Sequence, residues 1–144
     1  MGIQKQHENS KFSIRFIKLV KLDFEQNKNI SGMDEIETSL GLNSCFFKIP
    51  KKKFDIQLNL CMQLKLFENN DGNIVNIGII ESEILGIFSC DGEINQKLLP
   101  NLASILYSYL RPIVSQISIM AKLPPIDLPI LNLSKIEVTE IDNK

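Results

Sequence analysis

The clearest pattern in the chain is a period of two from Phe54 to Leu66. Ile56, Leu58, Leu60, Met62, Leu64 and Leu66 alternate there with Asp55, Gln57, Asn59, Gln63 and Lys65. Alternation over that length predicts a strand with one buried face and one wet face. The segment ENNDGN then supplies a turn, in which Asp71-Gly72 suits the positive backbone angles of tight hairpins. The return from Ile74 to Phe88 is apolar throughout, and its Gly78 and Gly86 mark bulges or close backbone approach. Upstream, KFSIRFIKLVKLDFEQN alternates as Phe12, Ile14, Phe16, shifts phase to Ile17 and Leu19, and shifts again to Val20, Leu22 and Phe24. Two shifts predict one long strand with two bulges, since each inserted residue sends later side chains to the opposite face. Residues 27–42 read as a polar connection with a short helical turn. Residues 43–50, with Cys45, Phe46 and Phe47, read as part of an edge strand.

Beyond Gly92 the period becomes helical. Leu102, Ile105, Leu106, Tyr109, Ile113, Ile117 and Met120 follow one another mostly at spacings of three and four, and small residues such as Ala103, Ser104, Ser108 and Ser115 fill the other side. From Pro100 to Leu133 the only charges are Arg111, Lys122 and Asp127. A surface helix of a monomer carries a broad polar side, so a helix without one is covered by protein on two sides or lies in lipid. Arg111, Gln116 and the serines argue against a membrane span, because a central charge is costly in hydrocarbon. Burial between protein layers is the expectation, with the seven large residues making the contact between chains. The proline-punctuated tail LPPIDLPILNL follows, and then a charged stretch with a short amphipathic turn through Ile136, Val138 and Ile141.

Composition narrows the chemistry. The 144 residues fit one domain over 1–144, with 1–10 as a flexible leader and 137–144 as a flexible tail. Sixteen basic and 17 acidic side chains give a net charge of −1, which supplies no bulk attraction to nucleic acid or anionic membrane. Cys45, Cys61 and Cys90 are odd in number and widely spaced, which fits a reducing cytoplasm better than a disulfide framework. The N-terminal MGIQKQHENSK has no apolar stretch of signal-peptide length, so a cytoplasmic location is expected. His7 is the only histidine, leaving no multi-histidine metal site and no obvious base for Cys90. Glu81 and Glu83 share a strand face but have no further acid or base beside them, and no glycine-rich phosphate loop occurs. Neither an enzyme nor a cofactor is expected.

The order long strand, strand, hairpin, long helix, with the residues that fill it, resembles the SecB family of protein-export chaperones. The match is best from Glu83 onward, through Gly86-Ile87-Phe88, the helix start at Pro100-Asn101, Tyr109-x-Arg111, Leu123-Pro124-x-Ile126-x-Leu128 and Asn132. FSIRFI and LDFE near the N-terminus are similar to the family's first strand. The resemblance implies an α+β fold: a four-stranded antiparallel sheet, a long helix and a short C-terminal helix, assembled as a dimer-of-dimers homotetramer with the long helices between two sheets. It further implies an ATP-independent holdase that keeps unfolded clients in an apolar groove. Carried over by position, that groove comprises Phe46, Phe47, Leu123, Ile126, Leu128, Ile130, Leu131, Leu133 and Ile136, although the same residues can simply complete the core.

Family members that hand clients to the SecA motor do so through an acidic strand surface, and the matching positions here are Lys21, Glu25, Ile79 and Glu81. A lysine where an acid is expected weakens a contact built on charge complementarity. That departure puts the SecA contact in doubt and favours another client, such as the antitoxin of a toxin-antitoxin-chaperone system. The alternative is a structural or adaptor protein that keeps the fold and has lost client binding.

Overall fold

The computed structural model describes residues 12–27, 36–70, 72–94 and 96–141. The chain runs β1 (Phe12–Gln26), β2 (Glu37–Lys48), β3 (Asp55–Asn70), β4 (Asn73–Cys90), α1 (Leu98–Met120) and β5 (Val138–Glu140). The strands form one sheet in the order β1-β4-β3-β2-β5. Neighbours are antiparallel except β5, which lies parallel to β2.

The strict alternation of β3 has the expected cause. Ile56, Leu58, Leu60, Met62, Leu64 and Leu66 are buried on the side that α1 covers, and their rungs continue through Phe88, Ile84 and Ile80 of β4. β1 carries the two expected bulges, as register shifts between Ile14 and Phe16 and between Leu19 and Lys21. They keep Phe12, Ile14, Ile17, Leu19, Leu22 and Phe24 on one face despite the broken alternation, because each rung on β4 is a helix-side position. A third shift falls between Leu66 and Phe67, beside Gly78. A β-carbon at Gly78 would stand 2.8 Å from the Glu25 carbonyl oxygen, so close strand approach requires glycine there.

Three expectations need correction. Residues 37–42 are strand rather than connection: Leu40, Leu42, Ser44 and Phe46 take the helix-side rungs, and the polar or absent side chains of Gly41 and Asn43 on the other face disguise the period. Residues 28–35 of that connection lie outside the described residues. No short C-terminal helix occurs among the described residues, and residues 138–140 of the expected flexible tail form β5. Val138 and Thr139 are β-branched and meet an edge of β2 whose backbone groups would otherwise lack a strand partner. The leader, 1–11, and residues 142–144 lie outside the described residues.

α1 begins with Pro100 in its first turn, where a missing N–H is tolerated, and continues through Pro112 to Met120. It ends in a Schellman-type turn: Lys122 adopts φ 57°, and Leu123 N–H donates to the Ser118 carbonyl oxygen at 2.9 Å. Leu123 is thereby turned inward and starts the tail's return along the helix.

Candidate functional site

The helix divides its apolar residues between two sides. Leu99, Leu102, Ala103, Leu106, Leu110, Val114 and Ile117 are buried toward the chain's own sheet. Ile105 and Ile113 are half-buried, while Tyr109 is 48% exposed and Met120 74% exposed on the outer side. The seven residues of the predicted stripe therefore do not act together: Leu102, Leu106 and Ile117 serve the internal core, because one face of any such helix must cover the sheet. The remaining four, with exposed Pro112 and Ile119, make an apolar outer face.

That face has a neighbour in β1. Because α1 packs on β3 and β4, the edge strand is left bare, with Ile14, Leu19 and Leu22 exposed on its helix-side face. A depression of about 330 Å³ lies between the two elements, lined by Leu22, Phe24, Ile117, Met120 and Ala121. Exposed large apolar side chains in such continuity mark a surface that binds something.

The tail is fastened to the helix by polar tips. Tyr107 donates its hydroxyl to the Pro129 carbonyl oxygen at 2.7 Å, Arg111 Nε donates to Leu128 O at 3.1 Å, and Ser115 donates to Asp127 Oδ1 at 3.2 Å. Burial pushes the Tyr107 hydroxyl above its usual range, against a smaller downward pull from Arg111, so the donor keeps its proton at neutral pH. Tyr107, Arg111 and Ser115 follow one another at i, i+4 and i+8, a polar row that sequence reasoning missed by attending to Tyr109. Arg111→Met should cost about 1.5–3 kcal/mol, the range for a hydrogen bond involving a charged group. Limited proteolysis within 124–133 should accelerate in that variant, and an unchanged cleavage rate would show that the bond does not hold the tail.

The nine predicted groove residues separate accordingly. Phe46, Leu123, Ile126, Leu128 and Leu133 are buried within the chain's own core. Phe47 and Ile136 are half-buried, Leu131 is exposed and Ile130 is 85% exposed. Only the latter four are accessible on a single chain.

The other face of the sheet is polar. Lys21, Glu25, Ile79 and Glu81 all fall on it, since Lys21 pairs with Glu83, Glu25 with Ile79 and Asp23 with Glu81. The structure thus brings the predicted motor-contact positions together on two adjacent strands. A shallow depression of about 440 Å³ there is bordered by Lys21, Asn43, Cys61, Gln63, Glu81 and Glu83, with Gly41 leaving room in it. Glu83 accepts a hydrogen bond from Asn59 Nδ2 at 2.5 Å, and Asn59 Oδ1 accepts one from Gln57 at 3.0 Å. Burial, reinforced by the Glu83 carboxylate, raises the thiols of Cys45 and Cys61, while burial and then Asp55 raise Cys90. Thiols so placed stay protonated and make poor nucleophiles. Among the described residues no group of three metal-ligating side chains is placed to hold an ion, and no helix is long and apolar enough to cross a membrane. His7 lies outside the described residues.

No family model and no curated protein matches the chain. Among solved structures it is similar to the SecB-like chaperone Rv1957 of Mycobacterium tuberculosis, solved in complex with a ChAD peptide from the Rv1956 HigA1 antitoxin. Identity is 19%, over 83% of this chain and 90% of that one, with a TM-score of 0.66. It is also similar, at 11% identity and a TM-score of 0.47, to a protein of unknown function from Streptococcus agalactiae, over 83% of this chain and 97% of that one. The first likeness establishes a SecB-like fold.

Proposed function

We propose that this chain, which has a SecB-like fold, is a cytoplasmic ATP-independent chaperone that holds extended segments of client proteins. The observation that supports it most is the exposure of Ile130 and Leu131 on the tail, while β1 and the outer side of α1 also leave apolar surface open. In the proposed assembly, a homotetramer, these surfaces are covered by further copies of the chain, and the accessible tail residues are left to clients. Holding works by mass action: a bound segment is withdrawn from the aggregating pool, and burial contributes roughly 25 cal/mol per Å² without requiring a fixed side-chain pattern.

The client proposed is an antitoxin, as in the Mycobacterium tuberculosis complex, rather than secretory precursors passed to a motor. Lys21 interrupts the acidic pattern of the polar sheet face and favours that choice. A second reading, a structural or adaptor protein, is favoured by the burial of Ile126 and Leu128, which removes apolar area from the groove.

Suppression of aggregation of a chemically unfolded model protein, without nucleotide, tests the two readings against each other. The chaperone reading expects suppression at a few-fold molar excess, and its absence would favour the adaptor. Replacing Ile130 and Leu131 together by serine is expected to weaken client binding several-fold with no change in thermal unfolding, because both side chains are exposed. Unchanged binding in that double variant would remove these two residues from the client site.

A further inference from the structure

β5 is held in place lightly. Val138 is half-buried, Thr139 and Glu140 are exposed, and Ile141 is 47% exposed. Its register covers only Ser44 to Phe46 of β2, and just beyond it Ile141 N–H donates to the Phe46 carbonyl oxygen at 2.8 Å. The two-residue repeat of a strand directs the Thr139 N–H to the same edge. From Glu37 to Asn43 the outer edge of β2 has no strand beside it among the described residues. An edge of that kind presents alternating donors and acceptors, a template for any extended chain. Along it, half-buried Leu40 and Leu42 lie on the helix-side face, and half-buried Cys45 and Phe47 follow on the other, so an added strand meets apolar side chains on the first face throughout and on the second towards Phe47.

We propose that the outer edge of β2 is an acceptor for an extended strand of a client protein, and that β5 occupies it as a built-in competitor. This rests on the chaperone reading above, and it gives that reading a second mode of contact, through the backbone. β-strand addition supplies affinity through main-chain hydrogen bonds, which suits a binder with little sequence preference. Three residues pair weakly by themselves. Tethering behind buried Leu133 keeps them at high local concentration, so the edge stays closed to weak strands and yields to longer ones.

The test uses the whole chain, the substitution Thr139→Pro, and a chain ending at Glu137. Proline deletes the Thr139 donor from an exposed position, and the deletion removes the competitor altogether. The probe is a fluorescein-labelled peptide of sequence KIEVTEI, a copy of Lys135–Ile141, titrated by anisotropy. Both variants are expected to bind it roughly tenfold more tightly than the whole chain, the scale set by one or two net backbone hydrogen bonds. Amide exchange at Ser44–Phe47 should quicken in the variants and slow again with peptide. Reduced, carboxymethylated lactalbumin should displace the probe. Equal affinity in all three proteins would overturn the strand acceptor, and a probe that unfolded lactalbumin leaves bound would overturn the client as its occupant. Aggregation suppression by the whole chain reads the chaperone proposal separately, so failure of one is distinguishable from failure of the other.

Discussion

Replacing Leu106 by alanine is expected to lower the unfolding free energy by about 3–5 kcal/mol, at the upper end of large-to-small core substitutions. Leu106 is fully buried at the centre of the helix–sheet contact, and it sits over Gly86 of β4. A β-carbon built on Gly86 would stand 3.0 Å from Leu106 Cδ2 and 2.7 Å from the Phe88 ring. The leucine and the ring thus occupy the space that glycine leaves, and truncating the leucine opens a cavity against backbone that cannot follow. For a domain whose total stability is about 5–15 kcal/mol, such a loss places much of the population near unfolding at modest temperature. Urea unfolding followed by circular dichroism checks it. A change below about 1 kcal/mol would mean that the site collapses without a cavity.

The second large effect concerns assembly. Glutamate at both Ile105 and Tyr109 is expected to reduce the scattering mass from a multiple of 16.4 kDa to that of one chain. Tyr109 is exposed on the outer side of α1 and Ile105 is half-buried at the margin of the core, so most of each chain's packing is kept and thermal unfolding reads any loss to the fold. Two carboxylates placed in an apolar contact must be desolvated without partners, a cost of several kcal/mol each. Multi-angle light scattering with thermal unfolding separates the outcomes. An unchanged mass would mean that the outer face of α1 is not where copies meet, and a lone chain in the unsubstituted protein would remove the assembly proposal itself.

How much of this was legible in the sequence depends on how many neighbours each segment has. β3 has a helix on one face and water on the other, so its side chains record both environments and its period is plain. β1 was legible down to its two bulges, because each phase shift preserves an apolar face. β2 was hidden, since Gly41, Asn43 and Ser44 carry little hydropathy signal and its place is set by pairing with β3. α1 was legible as a helix without a wet side, but its two apolar sides merge in sequence, and only the sheet shows which residues it claims. For Ile126 and Leu128 apolar character was evident while its use was not: a core and a groove ask for the same residues. The hydrogen bonds from Tyr107, Arg111 and Ser115 decide the matter by turning the tail along the helix.

The β2–β5 pairing also sets an order of events. It joins residues further apart in sequence than any other strand pair, whereas β3 and β4 meet across a tight turn. Closing the longest loop brings the least return per residue fixed, so β5 should be the last strand to dock as the chain folds. A chain with β3 and β4 paired and β5 not yet docked presents the bare outer edge of β2. Folding intermediates that lack β5 would then be stickier than the native fold, and the docking of these three residues would be the step that closes the sheet.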